Sequence, residues 1–179
     1  MIPRLETDRL LLREWRPEDF EPLAEIMADA DVARYLSGAP LSRAETWGRL
    51  TSTVGHWSLR GYGMWAVERK SDRALLGRVG LHYPEGWPGE EVGWSLGKPH
   101  WGNGYATEAA RAAINFGFLT QPVSRLISVI DPDNIASQAV ARRLGETCGE
   151  RSEVVVGGRA YVVDIWSISR ASWMNCRTT

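Results

Sequence analysis

The sequence predicts a mixed α/β domain, a single sheet with helices packed on its faces. Three observations carry that prediction. Strand-like and helix-like periods run strand, two helices, three strands, helix, strand, helix, two strands. This is not the regular alternation that a doubly wound nucleotide-binding sheet needs. At 179 residues the chain suits one domain with a sizeable core, because domains usually hold roughly 100–200 residues. Hydrophobic residues at 44% and charged residues at 24% are ordinary for a globular chain, so long disordered stretches are not expected.

Each element has a local reason. "LETDRLLLREW" interleaves apolar and charged residues and reads as a first strand. In "RPEDFEPLAEIMAD", Pro17 suits a first helical turn and Glu18 and Asp19 favour the positive end of the helix dipole. Leu23, Ile26 and Met27 give that helix its apolar stripe. Ser42 and Glu45 form a capping box that opens a second helix, weakened at Gly55 and ended near Gly61. "YGMWAVERK", "RALLGRVGLHY" and "EVGWSL" are strands, separated by the turn "KSDR" and the loop "PEGWPGE". "YATEAARAAINFGFLT" is a helix with Ala106, Ala109, Ala110, Ala113 and Ile114 on one side. "SRLISVID" is a buried strand, and "IASQAVARRLG" a helix stopped by Gly145. "SEVVV" and "RAYVVDIWSIS" form a long hairpin turning at Gly157-Gly158. We therefore expect one domain over residues 1–170 and a loose tail over 171–179.

Composition limits the partners. A formal net charge of −1 provides no basic field for nucleic acid or an anionic membrane, so any anion site must be local. Cys148 and Cys176 match neither a metal spacing nor a disulfide framework. His56, His82 and His100 lie far apart in the chain, and no metal is expected. No apolar run approaches the roughly 20 residues that span a bilayer. The start lacks an apolar h-region and a cleavage site, so a cytoplasmic location is expected. Nine tryptophans are the oddity, and they read either as core packing or as an aromatic-lined pocket.

"KPHWGNGYATEA" is the stretch with chemistry in it. Gly102 and Gly104 stand just before a helix whose first amides have no intrahelical partner. Such a turn is either a tight strand-to-helix connection or a phosphate cradle built from the amides of Gly102, Asn103, Gly104, Tyr105, Ala106 and Thr107. It is not a P-loop, which needs a lysine after the second glycine. Nor is it a dinucleotide fingerprint, because Thr107 stands where the third glycine belongs.

"EVGWSLGKPHWGNGYATEA" followed by "VIDPDNIASQAVARRLG" resembles the GCN5-related N-acetyltransferases, most of all the branch of the ribosomal-protein N-terminal acetyltransferases RimJ and RimL. The start "LETDRLLLREWRPEDFEPL" resembles that branch as well, so the likeness runs from about Leu5 to Ser169. It implies a mixed, mostly antiparallel sheet whose two central strands splay apart. It also implies acetyl-CoA as cosubstrate, no metal, an amine acceptor (a peptide N-terminus or a small molecule), and a monomer or homodimer. The family's Gln/Arg-x-x-Gly-x-Gly/Ala signature falls on Trp101 to Ala106, with Trp101 in place of Gln or Arg. By resemblance this turn holds the pyrophosphate, and Trp94, Ser95 and Leu96 line the pantetheine and acetyl group. Asn134 caps the next helix and, by resemblance, holds a pantetheine amide.

Acetyl transfer to an amine needs a deprotonated amine, a polarised thioester carbonyl and a proton for the departing thiolate. A strand amide such as that of Leu96 suits the carbonyl. Many family members place a Tyr where this chain has Ala141, which has no proton to give. The resemblance to RimJ and RimL implies Ser137 instead; its other reading is a capping hydroxyl. For the base, Glu91, Glu153 and Glu90 stay open, beside a water relay or an already neutral amine. Asp164 reads as a paired structural group, and Glu108 as a helix-steadying carboxylate turned away from the ligand. Tyr35, Trp47, Trp57, Trp65 and Trp87 are candidates for an acceptor groove, or else core. A rival reading is a non-catalytic acyl-CoA sensor, kept open by Ala141.

Overall fold

The computed structural model describes residues 2–156 and 158–175. Eight strands form a single sheet: β1 Leu5–Glu6, β2 Leu10–Arg13, β3 Met64–Arg69, β4 Leu75–His82, β5 Glu91–Leu96, β6 Arg125–Ile130, β7 Thr147–Val156 and β8 Arg159–Ser169. Their spatial order is β1-β2-β3-β4-β5-β6-β8-β7. All neighbours are antiparallel except β5 and β6, which are parallel. The mixed, mostly antiparallel sheet expected from the sequence is therefore the one observed.

Among the described residues six α-helices accompany it: α1 Phe20–Ala28, α2 Ala30–Ala33, α3 Arg43–Arg60, α4 Tyr105–Thr120, α5 Ile135–Leu144 and α6 Arg170–Asn175. The main core gathers Val79, Leu81, Val92 and Leu96 of the sheet against Ala110, Ala113, Ile114 and Phe118 of α4. On the opposite face Leu23 and Met27 of α1 and Leu50 of α3 pack on Ala66 and Leu75.

Local sequence signals set most helix ends. Ser42 Oγ accepts from Glu45 N–H and Glu45 reaches back to Ser42 N–H, the predicted capping box. Gly61 and Gly145 close α3 and α5 at φ 76° and 84°. Gly158 of the last hairpin has φ 80°, while Gly157 lies outside the described residues.

Three expectations need correction. The first strand is broken: Thr7 N–H donates to Leu10 C=O at 3.0 Å and folds β1 onto β2 as a hairpin. The short helix α2 went unforeseen; Asp29 caps it by accepting from Asp31 N–H at 2.8 Å. Residues 171–175 of the expected tail are not loose. They lie in α6, and Trp173 is 3% exposed, with its indole N–H donating to Asn115 Oδ1 at 2.7 Å. The rest of the expected tail, residues 176–179, lies outside the described residues.

Candidate active site

β5 and β6 are paired at one register position, Glu91 opposite Ile127, and then part. Gly97 N–H donates to Leu76 C=O, so the antiparallel alternation turns the backbone groups of Val92, Trp94 and Leu96 away from β4 and toward the opening. Side chains cover part of that edge. Ser128 Oγ donates to Val92 C=O at 2.8 Å, and Trp101 Nε1 donates to Leu96 C=O at 2.7 Å. The Leu96 amide and the Trp94 backbone have no strand across from them, which leaves a slot bordered by unpaired peptide groups. The Trp94 and Leu96 side chains share the face that α4 covers, whereas Ser95 points to the other face.

The glycine turn closes one end of this slot. Gly102 and Gly104 have φ of 75° and 79°, left-handed values that favour glycine. A Cβ at Gly102 would meet nothing within 4 Å, so the backbone there is open to approach. Asn103 Nδ2 turns back to Trp101 C=O at 2.9 Å. Side chains cap α2, α3 and α5 at their N-termini, whereas none caps α1 or α4. The amides of Tyr105, Ala106 and Thr107 therefore start α4 without a side-chain acceptor, as a site for phosphate oxygens requires.

Glu108 is turned away from the turn's mouth, as expected. It accepts from Thr7 Oγ1 at 2.6 Å, Arg9 N–H at 3.0 Å and Arg9 Nε at 2.7 Å. Burial works against its charge, yet these bonds outweigh it and hold the carboxyl below its usual value. Arg9 also donates to Asn103 C=O at 3.0 Å and lies 4.6 Å over the Tyr105 ring. Sequence reasoning missed Arg9, since a charged residue in a β-turn carries no sign of a partner 99 residues away.

Across the slot, Asn134 Oδ1 accepts from Ser137 N–H at 3.0 Å and caps α5. Ser137 Oγ receives Trp94 Nε1–H at 3.2 Å. Trp94 also packs beside Ile130, Ala141 and Trp166. Ala141 is completely buried, so a serine one turn earlier takes the place nearer the opening.

Glu91 stands where the strands begin to part. Its Oε2 accepts from Trp87 Nε1 at 2.8 Å and its Oε1 from Val129 N–H at 3.3 Å. Burial pushes its carboxyl up to about 7, while the two hydrogen bonds and the charge of Arg78 pull the other way. His82 lies directly across from it on β4, and burial pushes that imidazole down to about 4. The His82 ring stacks on His56 at 5.4 Å and meets Trp87 edge-on at 5.7 Å. His56 Nε2 accepts from Tyr83 N–H, so its Nδ1 carries the hydrogen given to Tyr62 C=O. Two histidines remote in sequence thus meet, and both nitrogens of His56 are engaged.

The other two acids part company with Glu91. Burial raises the Glu90 carboxyl, with the charge of Arg60 opposing, and its own charge acts on Tyr62. Glu153 is exposed on β7, opposite Val162, while Val154 beside it packs with Ile127. The strand alternation therefore puts Glu153 on the far face from Glu91. Asp164 is paired with Arg151 at 2.8 Å.

A buried acid near the parting strands went unforeseen. Glu146, 4% exposed, has its Oε1 3.0 Å from Ser128 Oγ. Ser128 has one hydroxyl hydrogen, and Val92 C=O can only accept it. Both contacts are satisfied when Glu146 is protonated and donates to Ser128. Burial pushes Glu146 up to about 8, in keeping with that arrangement.

Of the five aromatic candidates, Trp57 and Trp65 belong to the core, with ring centroids 4.8 Å apart. Trp47 is 54% exposed and meets Phe20 edge-on. Trp87 stays at the site through Glu91. Tyr35 Oη donates to Asp133 C=O at 3.2 Å, and Tyr161 Oη to Ser37 C=O at 3.1 Å, tying the segment after α2 to the entrance of α5 and to the last hairpin. Among the described residues no three His, Cys, Asp or Glu side chains are grouped to hold a metal ion. No described helix is long and apolar enough to cross a membrane.

A parallel pair that opens after one register position, with an uncapped helix and a double-glycine turn at its end, defines a class of protein. The acetyltransferase (GNAT) domain model matches residues 9–147, and the chain belongs to that family. It is an acetyl-CoA-dependent acyltransferase by that membership. It is 35% identical to YkkB of Bacillus subtilis over 150 residues, 79% of this chain and 84% of that protein. Among solved structures it resembles an acetyltransferase from Agrobacterium tumefaciens str. C58, with a TM-score of 0.82 and 29% identity over 95% of this chain and 96% of the other. RimL, the ribosomal L7/L12 α-N-protein acetyltransferase crystallised with coenzyme A, shares the fold: TM-score 0.76, 19% identity, 93% of this chain and 98% of that one.

Proposed function

We propose that the enzyme moves the acetyl group of acetyl-CoA directly to a primary amine, with both substrates bound at once. The observation that carries this reading is the β5–β6 slot, with Ser137 on one side and Glu91 on the other. Acetyl-CoA supplies the thioester. The amides of Gly102 to Thr107 hold its pyrophosphate, and the positive end of α4 favours that charge. Trp94 and Leu96 offer their slot-facing backbone to the pantetheine, beside Asn134 and Ser137, and the Leu96 amide polarises the thioester carbonyl. Trp101 closes the end of β5, and Ser95 faces the acceptor.

Glu91 accepts the amine's proton, directly or through water. A carboxyl held near 7 is partly ionised at neutral pH and basic enough for that task. Ser137 gives its hydroxyl proton toward the sulfur. Glu153 has no part in this mechanism, because it stands on the far face of β7. The sensor reading rested on Ala141, and nothing in the geometry favours it once Ser137 faces the slot.

The acceptor is a peptide N-terminus or a small-molecule amine. Thiol release from acetyl-CoA with a panel of N-terminal peptides and small amines tests the reading. Release that saturates with amine is the expected result. Tight coenzyme binding without release across the panel overturns it.

A further inference from the structure

Arg78 of β4 and Ser95 of β5 are cross-strand partners on the face that carries Glu91. The Arg78 Nε and the Ser95 Oγ are both sealed from solvent, and neither has a hydrogen-bond partner. Arg78 as a whole stays partly exposed, so its outer nitrogens remain reachable. Among the described residues no carboxylate forms an ion pair with it, although the charge of Glu91 on the same face reaches it. The buried Arg13 is held differently: it pairs with Asp19 at 2.7 Å and Glu68 at 2.6 Å. An enclosed guanidinium normally has an anion, because a buried unpaired charge is costly.

A second cation lies nearby. Arg49 of α3 is half-buried, and among the described residues it makes no ion pair, although the charge of the exposed Glu45 still favours its cationic form. Its charge is felt at Arg78 and at His82. Between the two ends of this floor the Met64 methyl lies against β5: a Cβ at Gly93 would come 2.8 Å from it and 3.6 Å from Glu91 Oε1. Unsatisfied donors thus gather at the Ser95 end of β5, and Glu91 stands at the other end.

We propose that the acceptor amine carries a carboxylate, bound by Arg78, Ser95 and Arg49 on the sheet face that holds Glu91. This rests on the acetyl-transfer reading above. A planar carboxylate suits a guanidinium fork with a hydroxyl opposite. A monoanion is favoured over a phosphate dianion, because Glu91 on the same face repels the larger charge more. The two arginines also disfavour a protonated amine beside them and so promote the neutral form that attacks.

The test uses matched ligand pairs titrated calorimetrically into the coenzyme A-loaded protein. One arm pairs a free amino acid with its α-carboxamide. The other pairs a tetrapeptide starting with Asp with the same peptide starting with Asn. The carboxylate member is expected to bind at least about tenfold tighter in one arm, and that arm tells an α-carboxylate from a side-chain one. Arg78→Gln should bring the ratio to about one, Arg78→Lys should restore part of it, and acetyl-CoA affinity should not change in either. A ratio near one in both arms, or a preference that survives Arg78→Gln, overturns the proposal. Thiol release with the same pairs judges acetyl transfer separately. Preference without release overturns acetyl transfer and leaves the carboxylate niche standing. Release at equal rates and affinities within each pair does the reverse.

Discussion

Trp94 Nε1 donates to Ser137 Oγ at 3.2 Å, across the opening where β5 and β6 part. An indole only donates, so this bond leaves the hydroxyl's own proton uncommitted. Ser137→Ala is expected to lower kcat about 10–100-fold and to leave the acetyl-CoA dissociation constant within about twofold. Trp94→Phe should cost less, because the hydroxyl remains and only its orientation is lost. Stopped-flow thiol release and calorimetry separate the two effects, and an unchanged kcat in Ser137→Ala removes the serine from the chemistry.

The pH profile should report Glu91. A base must be ionised, so kcat/KM is expected to rise with pH through about 7. Glu91→Gln should abolish that limb and cut the rate by roughly 10²–10⁴. A rising limb that survives in Glu91→Gln assigns the proton transfer elsewhere.

Glu146 makes a stability prediction of definite sign. Its ordinary value is 4.5 and its folded value about 8, so the folded protein keeps a proton that the unfolded chain releases in between. That contribution is fully present below pH 4.5, shrinks as pH rises toward 8 and is flat above it. The slope is at most ~1.4 kcal/mol per pH unit for one proton. Glu91 adds a shorter decline of the same sign up to about 7. Glu146→Gln should gain on the parent protein as pH rises. Urea midpoints of the two proteins that stay parallel from pH 5 to 8.5 would contradict this.

Gly104→Val tests the turn. At φ 79° a β-branched residue is strained by roughly 1–2 kcal/mol, and its side chain crowds the amides. Acetyl-CoA affinity should fall at least about tenfold, while coenzyme-free thermal stability drops only modestly. An intact dissociation constant would exclude the pyrophosphate site.

The buried ion group offers the largest stability effect. Arg13 binds Asp19 through Nη1 and Nη2 and Glu68 through Nε, and all three side chains are less than 8% exposed. Arg13→Ala leaves two carboxylates enclosed and is expected to cost about 3–5 kcal/mol in chemical denaturation. A loss below 1 kcal/mol, with the same denaturant slope, would show that water takes the arginine's place.

What could be read from the sequence follows the range of the interactions. The Ser42–Glu45 box, the Gly61 and Gly145 stops and the Asn134 cap are local chemistry, and each lies where the residues put it. The turn at Gly102 and Gly104 was legible for the same reason. Pairs that the fold brings together were not. His56 and His82, Ser128 and Glu146, and Arg9 and Glu108 are joined by strand register or packing, which no window of sequence displays. Which face Glu153 takes relative to Glu91 likewise depends on strand register across the sheet.

Arg9 fastens the hairpin of β1 and β2 to the double-glycine turn, through Glu108 on one side and Asn103 on the other. The loop's shape is thus underwritten by residues almost a hundred positions upstream. A shortened chain beginning at Leu11 would keep every residue of the family signature and lose this brace. It should recognise coenzyme more weakly than its motif suggests, because a binding motif is only as good as the distant residues that hold it in shape.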